Sequence, residues 1–156
     1  MIPARVYVLN SSDVTTLKKL LEYDPYLDPN FIPKMPKEWD DAEYMKKHPE
    51  LAQEASEKKK AAEAAMDKLK NDKELNIIFA RQDYQIKDGV SLGLDREKSY
   101  LYLSADDAFL EAGEAKLKKS ITSLQRAPKE IENQIIDGIE HERQKSDQGL
   151  GFIFGS

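Results

Sequence analysis

The sequence predicts an α+β fold in which an antiparallel sheet of four or five strands is covered on one face by helices. Short β-branched and aromatic runs separated by turn residues fill the middle of the chain, and one more apolar strand stands near the N-terminus. The other segments have the spacing of amphipathic helices. Strands that follow one another closely along a chain pair antiparallel, so the middle segment is expected to form most of the sheet.

The first strand is predicted at Val6–Leu9, which is apolar and β-branched. The polar segment Asn10–Asp13 follows it and precedes apolar residues at helical spacing, so we interpret this segment as the N-cap of a helix. A bound anion is the weaker interpretation of the same segment. It contains no glycine that would let a ligand approach the backbone, and Asp13 would repel negative charge.

A helical insertion is predicted at residues 38–73, after the first strand and helix. A proline-rich loop precedes it, because prolines at positions 25, 29, 33 and 36 remove backbone donors. The insertion is rich in Glu, Lys and Ala, and Pro49 divides it into a short and a long helix. The long helix carries a narrow stripe of small and apolar side chains, namely Leu51, Ala55, Ala62, Ala65, Met66 and Leu69.

The middle segment is predicted to be a meander that begins with a buried strand at Ile77–Phe79. A second strand, residues 84–86, leads to Asp88-Gly89, a dipeptide that favours tight hairpin turns with positive φ at glycine. Alternating apolar residues at 90–94 predict the next strand, and residues 100–103 the last.

Two helices are predicted near the C-terminus. Ser104 and Asp107 fit the capping-box spacing at the start of the first, which is expected to run to about Arg126. Pro128 starts the second, which is expected to end at Gln148-Gly149. The sequence therefore predicts one α+β domain over residues 1–156, with an apolar tail at residues 149–156.

Composition excludes several classes of protein. The chain has 156 residues, no cysteine and a net charge of −5, which fits a cytoplasmic protein and opposes nucleic-acid binding. The apolar runs are far shorter than the ~20 residues of a membrane-spanning helix, and no signal peptide is expected. No cofactor is predicted.

No catalytic residue and no metal site is assigned. Asp137 and His141 are the candidate metal ligands, because their spacing places both on one face of the last helix. Two ligands do not make a site, and the sequence lacks a His-Glu-x-x-His pattern. A solvated end of a helix is the better interpretation.

An aromatic sheet surface is the candidate nucleic-acid site. Tyr84, Tyr100 and Tyr102 lie on predicted strands and could stack on single-stranded bases, with Arg81 as a neighbouring cation. Aromatic residues are also ordinary strand formers, and the strands carry no RNP-type motif. A structural role for the tyrosines is preferred.

The C-terminal tail carries the candidate partner-binding residues Phe152, Ile153 and Phe154, which follow a highly charged helix. Three large apolar side chains are expected to be buried, either in the sheet of their own domain, which is preferred, or against another subunit. A non-catalytic protein-interaction or scaffolding domain is the preferred hypothesis, with a protein partner or a second copy of the chain as the ligand. A carboxylate and histidine enzyme, with or without a metal, is the first alternative. Binding of single-stranded nucleic acid is the second.

Overall fold

The sheet is antiparallel, as the sequence predicts. The computed structural model describes residues 2–153, and their side chains up to residue 146. Its strands are β1 (Ala4–Asn10), β2 (Asp83–Asp88), β3 (Lys98–Ser104) and β4 (Gln125–Arg126). The four strands lie in the order β2-β3-β1-β4, so β1 and β3 are central. The predicted fold class is confirmed.

Three helices separate the first two strands, which confirms the helical insertion. The helices are α1 (Val14–Glu22), α2 (Ala42–Lys47), α3 (Ala52–Asn71), α4 (Asp107–Ser120) and α5 (Lys129–Ile153). Pro49 opens a short 3-10 turn between α2 and α3, as its position predicts. Within residues 2–153, none of these helices is long and apolar enough to cross a membrane.

The chain divides into two compact units. The sheet unit consists of Met1–Leu21 and Arg81–Ser156, and the helical unit consists of Glu22–Ala80. The sheet unit contains all four strands together with α4 and α5. The helical unit contains α2 and α3.

Helix α5 covers one face of the sheet. Strand pairing places Val6 opposite Tyr102, so the two side chains share a face. Both are buried in one apolar cluster with Ile135 and Ile139 of α5. The isoleucines are four residues apart and therefore lie on one side of the helix.

Helix α4 covers the opposite face, whereas the sequence analysis expected helices on one face alone. Arg5 pairs with Glu114 of α4 at 3.5 Å, and Tyr7 lies on the same face of β1 as Arg5. Burial and the Glu114 carboxylate together raise the pKa of Tyr7 to about 12. Tyrosines and leucines alternate along β3, so both of its faces are apolar and both need a helix over them.

Glu132 of α5 joins three elements. Its buried carboxylate accepts a hydrogen bond from the backbone N–H of Val6 at 2.9 Å. It also accepts two from the Arg126 guanidinium, at 2.6 and 2.8 Å. Burial by itself would raise the pKa of the Glu132 carboxyl, but these hydrogen bonds outweigh burial and lower it.

The predicted tight hairpin at Asp88-Gly89 is wrong. Gly89 has φ of −63°, and the next residues form a 3-10 turn, Val90–Leu92, rather than a strand. Leu92 and Leu94 instead pack against the apolar cluster beneath α5. Their alternation therefore reflects a loop that is packed onto the core, which periodicity cannot distinguish from a strand.

The predicted strand at Ile77–Phe79 is also wrong, although its burial was predicted correctly. Ile78 and Phe79 are buried, but a 3-10 turn begins at Phe79. Strand β4 was not predicted, because the preceding helix was expected to run to Arg126. In the structure, α4 ends at Ser120. A strand of two residues has too little sequence to show a period.

The ends of α4 and α5 differ from the prediction as well. Asp106, not Ser104, caps α4 by accepting a hydrogen bond from the Phe109 N–H at 2.8 Å. The Ser104 hydroxyl donates to the Pro3 carbonyl instead. Helix α5 continues through Gly149 to Ile153, because a glycine costs a helix only about 1 kcal/mol and does not have to end it.

Replacing Gly89 by alanine is expected to destabilise the protein, by about 1 to 3 kcal/mol. A Cβ at this position would collide with the backbone carbonyl oxygens of Asp95 and Lys98. Gly138→Ala is the matched control, since a Cβ there meets no atom and alanine favours the helix by about 1 kcal/mol. The measurement is the urea midpoint of each variant. A midpoint for Gly89→Ala equal to that of the wild type would contradict the packing.

Glu132→Gln is expected to cost about 2 kcal/mol at pH 7, because a charged acceptor with several donors is lost. The lowered pKa of Glu132 means that its stabilisation is present above the unfolded pKa of about 4.3 and is lost as the pH falls through the folded pKa. The stability difference between wild type and variant should therefore shrink at acidic pH. Thermal unfolding between pH 7 and pH 3 measures it, with exposed Glu111→Gln as the control. A difference that does not change with pH would refute this role.

Candidate functional site

The helical unit contains a groove between α3 and the proline-rich segment before α2. It consists of two adjoining cavities of about 420 and 310 Å³ that share Met35 and Lys59. We call it the α3 groove, and its other lining residues are Trp39, Asp40, Ala55, Ser56, Ala62, Glu63, Met66, Asp67 and Lys70.

Three residues of the small-residue stripe that the sequence predicts form the floor of the groove. Ala55, Ala62 and Met66 are half-buried, whereas Ala61 and Ala64 on the other side of α3 are exposed. Alanine side chains leave the helix backbone close to the surface, so another element can approach it closely. This part of the stripe is therefore accessible and only partly covered by its own unit.

The opposite wall is built by Met35 and Trp39. Met35 is 41% exposed. Pro36 precedes the 3-10 turn that contains Trp39, and the backbone N–H of Trp39 donates a hydrogen bond to the Pro36 carbonyl at 3.1 Å. Asp41 then caps α2 by accepting a hydrogen bond from the Glu43 N–H at 2.9 Å. Local turn chemistry thus sets the position of the tryptophan.

Aspartates order the earlier part of the proline-rich segment. Asp24 accepts a hydrogen bond from the Tyr26 N–H at 3.0 Å, and Asp28 accepts one from the Asn30 N–H at 2.9 Å. The Asp28 carboxylate also accepts a hydrogen bond from the Tyr23 hydroxyl at 2.9 Å. Partial burial and this carboxylate raise the pKa of Tyr23. The loop is held by its own side chains, as Asx turns are.

Four charged residues of α3 line the larger cavity. Lys59 comes first, Glu63 and Asp67 follow at intervals of one helical turn, and Lys70 comes last. The middle of this cavity is therefore acidic and its two ends are basic, whereas the smaller cavity, which shares Lys59, is also lined by Asp40. Lys58 lies on the Trp39 side, with its Nζ 5.2 Å from the centre of the indole ring.

A second cavity, of about 490 Å³, lies in the sheet unit where β1 ends and β3 begins. We call it the polar cavity, and it is lined by Asn10, Ser11, Ser12, Arg96, Glu97 and Lys98. It therefore includes most of the segment that the sequence analysis weighed as a helix cap or an anion site.

Hydrogen bonds hold the two sides of the polar cavity together. The Ser11 N–H donates to the Glu97 carbonyl at 2.7 Å, and the Ser11 hydroxyl lies 2.9 Å from that of Ser99. Lys98 Nζ donates to Asn10 Oδ1 at 2.7 Å. Asn10 makes no side-chain cap to the turn that it precedes, so the predicted N-cap role is wrong for Asn10. The Asn10 side chain accepts the hydrogen bond from Lys98 instead.

The candidate metal ligands Asp137 and His141 are both exposed on α5. Within the described part of the chain, the structure brings no group of three or more His, Asp or Glu side chains into a metal-binding arrangement. The two residues thus remain a pair on the surface of one helix.

The candidate nucleic-acid residues do not form one surface. Tyr100 and Tyr102 are only 5% and 4% exposed and lie beneath α5. Tyr84 is opposite Leu103, on the other face of the sheet. Arg81 is exposed in the turn before β2. The three tyrosines are therefore separated by the alternation of side chains along the strands.

The candidate partner-binding residues Phe152, Ile153 and Phe154 cannot be placed in contact with any element. The side chains of Phe152 and Ile153 and the whole of Phe154 lie outside the described residues. Partner binding by this segment stays a prediction.

Met35 and Trp39 of the groove wall, and the cations of the polar cavity, are not among the site residues predicted from the sequence. Trp39 is the single tryptophan of the chain and stands in a proline-rich segment, which was a usable signal for an exposed aromatic contact. Arg96 and Lys98 are visible in the sequence as basic residues near the tyrosines, but nothing there indicates an anion site, because charged residues are common in turns.

Comparison with protein-family models, with curated protein sequences and with solved structures finds no match to this chain.

Proposed function

We propose that this protein is a non-catalytic protein-interaction domain that binds an amphipathic helix of a partner protein in the α3 groove. The observation that carries the proposal is the half-buried stripe on α3, which faces Met35 and Trp39 across an open groove. Helix-in-groove binding uses apolar residues at intervals of three and four, and this stripe has the same spacing.

The composition of the groove suits a helix. Alanines on the floor allow a close approach of two helix axes, and Met35 and Met66 are flexible side chains that adapt to a partner surface. Trp39 offers a large, rigid contact of the type that dominates binding energy at interfaces. Helix α3 has 20 residues, a length of ~30 Å that several turns of a partner can follow.

The charges of the groove specify the partner further. In the larger cavity of the groove, Glu63 and Asp67 lie at the middle, and Lys59 and Lys70 lie at the two ends. A helix that is complementary to this cavity therefore carries basic residues beside the centre of its apolar face and acidic residues towards both ends. Such charges contribute mainly to specificity and to the rate of association.

Two synthetic helical peptides of equal composition test this function. One carries the complementary charge order around an apolar face, and the other carries the reverse order. Trp39 is the only tryptophan, so its emission reports directly on the groove. We expect the complementary peptide to shift the emission saturably and to bind at least tenfold more tightly than the reversed one, a difference of about 1.4 kcal/mol.

Ala62→Arg and Ala61→Arg form the matched pair of variants. Both add the same charge to the same helix, and arginine is a good helix former. Ala62 lies in the groove whereas Ala61 is exposed outside it. Ala62→Arg should abolish the emission change and Ala61→Arg should retain it. Equal binding by the two variants, or by the two peptides, would rule out the groove as the binding surface.

A further inference from the structure

Two cations line the polar cavity. Arg96 and Lys98 both line it, and neither pairs with a carboxylate of any residue that the structure describes. Lys98 is half-buried, and its ammonium donates to the neutral amide oxygen of Asn10. The cavity lining has two cations and one anion, a net positive charge in a chain whose own net charge is −5.

A partly buried ammonium without a counter-ion favours a nearby anion. Two opposite charges attract more strongly where water is partly excluded from between them. The neutral Asn10 oxygen supplies a hydrogen bond but no charge. The cavity therefore offers an electrostatic site that the described residues leave incomplete.

The acidic residue that argued against an anion is turned away. Asp13 accepts a hydrogen bond from the Ser123 hydroxyl at 2.6 Å and does not line the cavity. Glu97 also lines the cavity and is exposed, as Arg96 is, so it offsets one of the two positive charges and leaves the other. The sequence-based objection from Asp13 thus does not hold in the folded chain.

We infer that the polar cavity binds the phosphate group of a small phosphorylated molecule. A guanidinium offers paired donors that match a phosphate, and a lysine adds a point charge. The Ser12 hydroxyl is exposed at the same cavity and adds a donor. A volume of about 490 Å³ exceeds the needs of a phosphate alone and lies in the range of small-molecule sites.

Inorganic phosphate and glycerol phosphate are the probes. Amide chemical shifts of the uniformly labelled full chain are followed during each titration at constant ionic strength. We expect saturable shifts at residues 10–12 and 96–98, and tighter binding of the ester than of inorganic phosphate. Acetate, which is a monoanion, should bind more weakly than either.

Charge variants separate a built site from general screening. Arg96→Gln and Lys98→Gln should each weaken phosphate binding about tenfold, because each removes a charge-assisted contact. Glu97→Gln should tighten it, since it removes repulsion without removing a donor. Lys145→Gln, which removes the same charge from the exposed surface of α5, is the control and should leave binding unchanged.

Three results would overturn the inference. Shifts that spread over all exposed cations without saturation would show screening only. Equal affinity for acetate and phosphate would exclude a phosphate site. Loss of binding in Lys145→Gln to the same extent as in Lys98→Gln would show that net charge alone attracts the anion. Failure of the helical peptides to bind the α3 groove would leave this inference intact, because the two sites lie in different units.

Discussion

The buried carboxylate of Glu132 is the contact that holds β1, β4 and α5 in register. Strand β4 has only two residues, too few to be stable by its own ladder of hydrogen bonds. The Glu132 carboxylate accepts hydrogen bonds from the Val6 N–H of β1 and from the Arg126 guanidinium of β4. One side chain thus links the short strand to its neighbour. The same residue orients α5, whose isoleucines then cover the sheet.

Side chains complete the edge of β1 that β4 is too short to cover. Beyond Glu132, the Ser123 hydroxyl accepts a hydrogen bond from the Asn10 N–H at 3.2 Å and donates one to the Asp13 carboxylate at 2.6 Å. Backbone groups on a central strand must be paired, and here a carboxylate and a hydroxyl replace a neighbouring strand. This arrangement also turns Asp13 away from the polar cavity, which links the architecture of the sheet to the electrostatics of its end.

The two candidate sites arise from different physical causes. The α3 groove exists because a helix rich in alanine cannot fill the space between itself and a proline-rich segment. The polar cavity exists because the loop before β3 and the turn after β1 meet through hydrogen bonds of Ser11. One site is therefore apolar with charged margins, and the other is polar with an excess of cations.

Periodicity and local chemistry in the sequence determined the fold class, the insertion of helices after the first strand, and the stripe on α3. The buried face of an amphipathic helix consists of apolar residues that recur every three or four positions, and this spacing can be counted without a structure. The same counting failed at residues 90–94, where a loop packs onto the core, and it passed over the two-residue strand β4.

Only the tertiary structure decided which residues meet. The position of Arg96 and Lys98 beside Asn10 joins segments more than eighty residues apart, and the position of Trp39 opposite α3 depends on how a proline-rich segment turns back. The separation of Tyr84 from Tyr100 depends on strand register. Such contacts follow from packing and pairing between distant segments, whereas a sequence pattern records only what neighbours along the chain require.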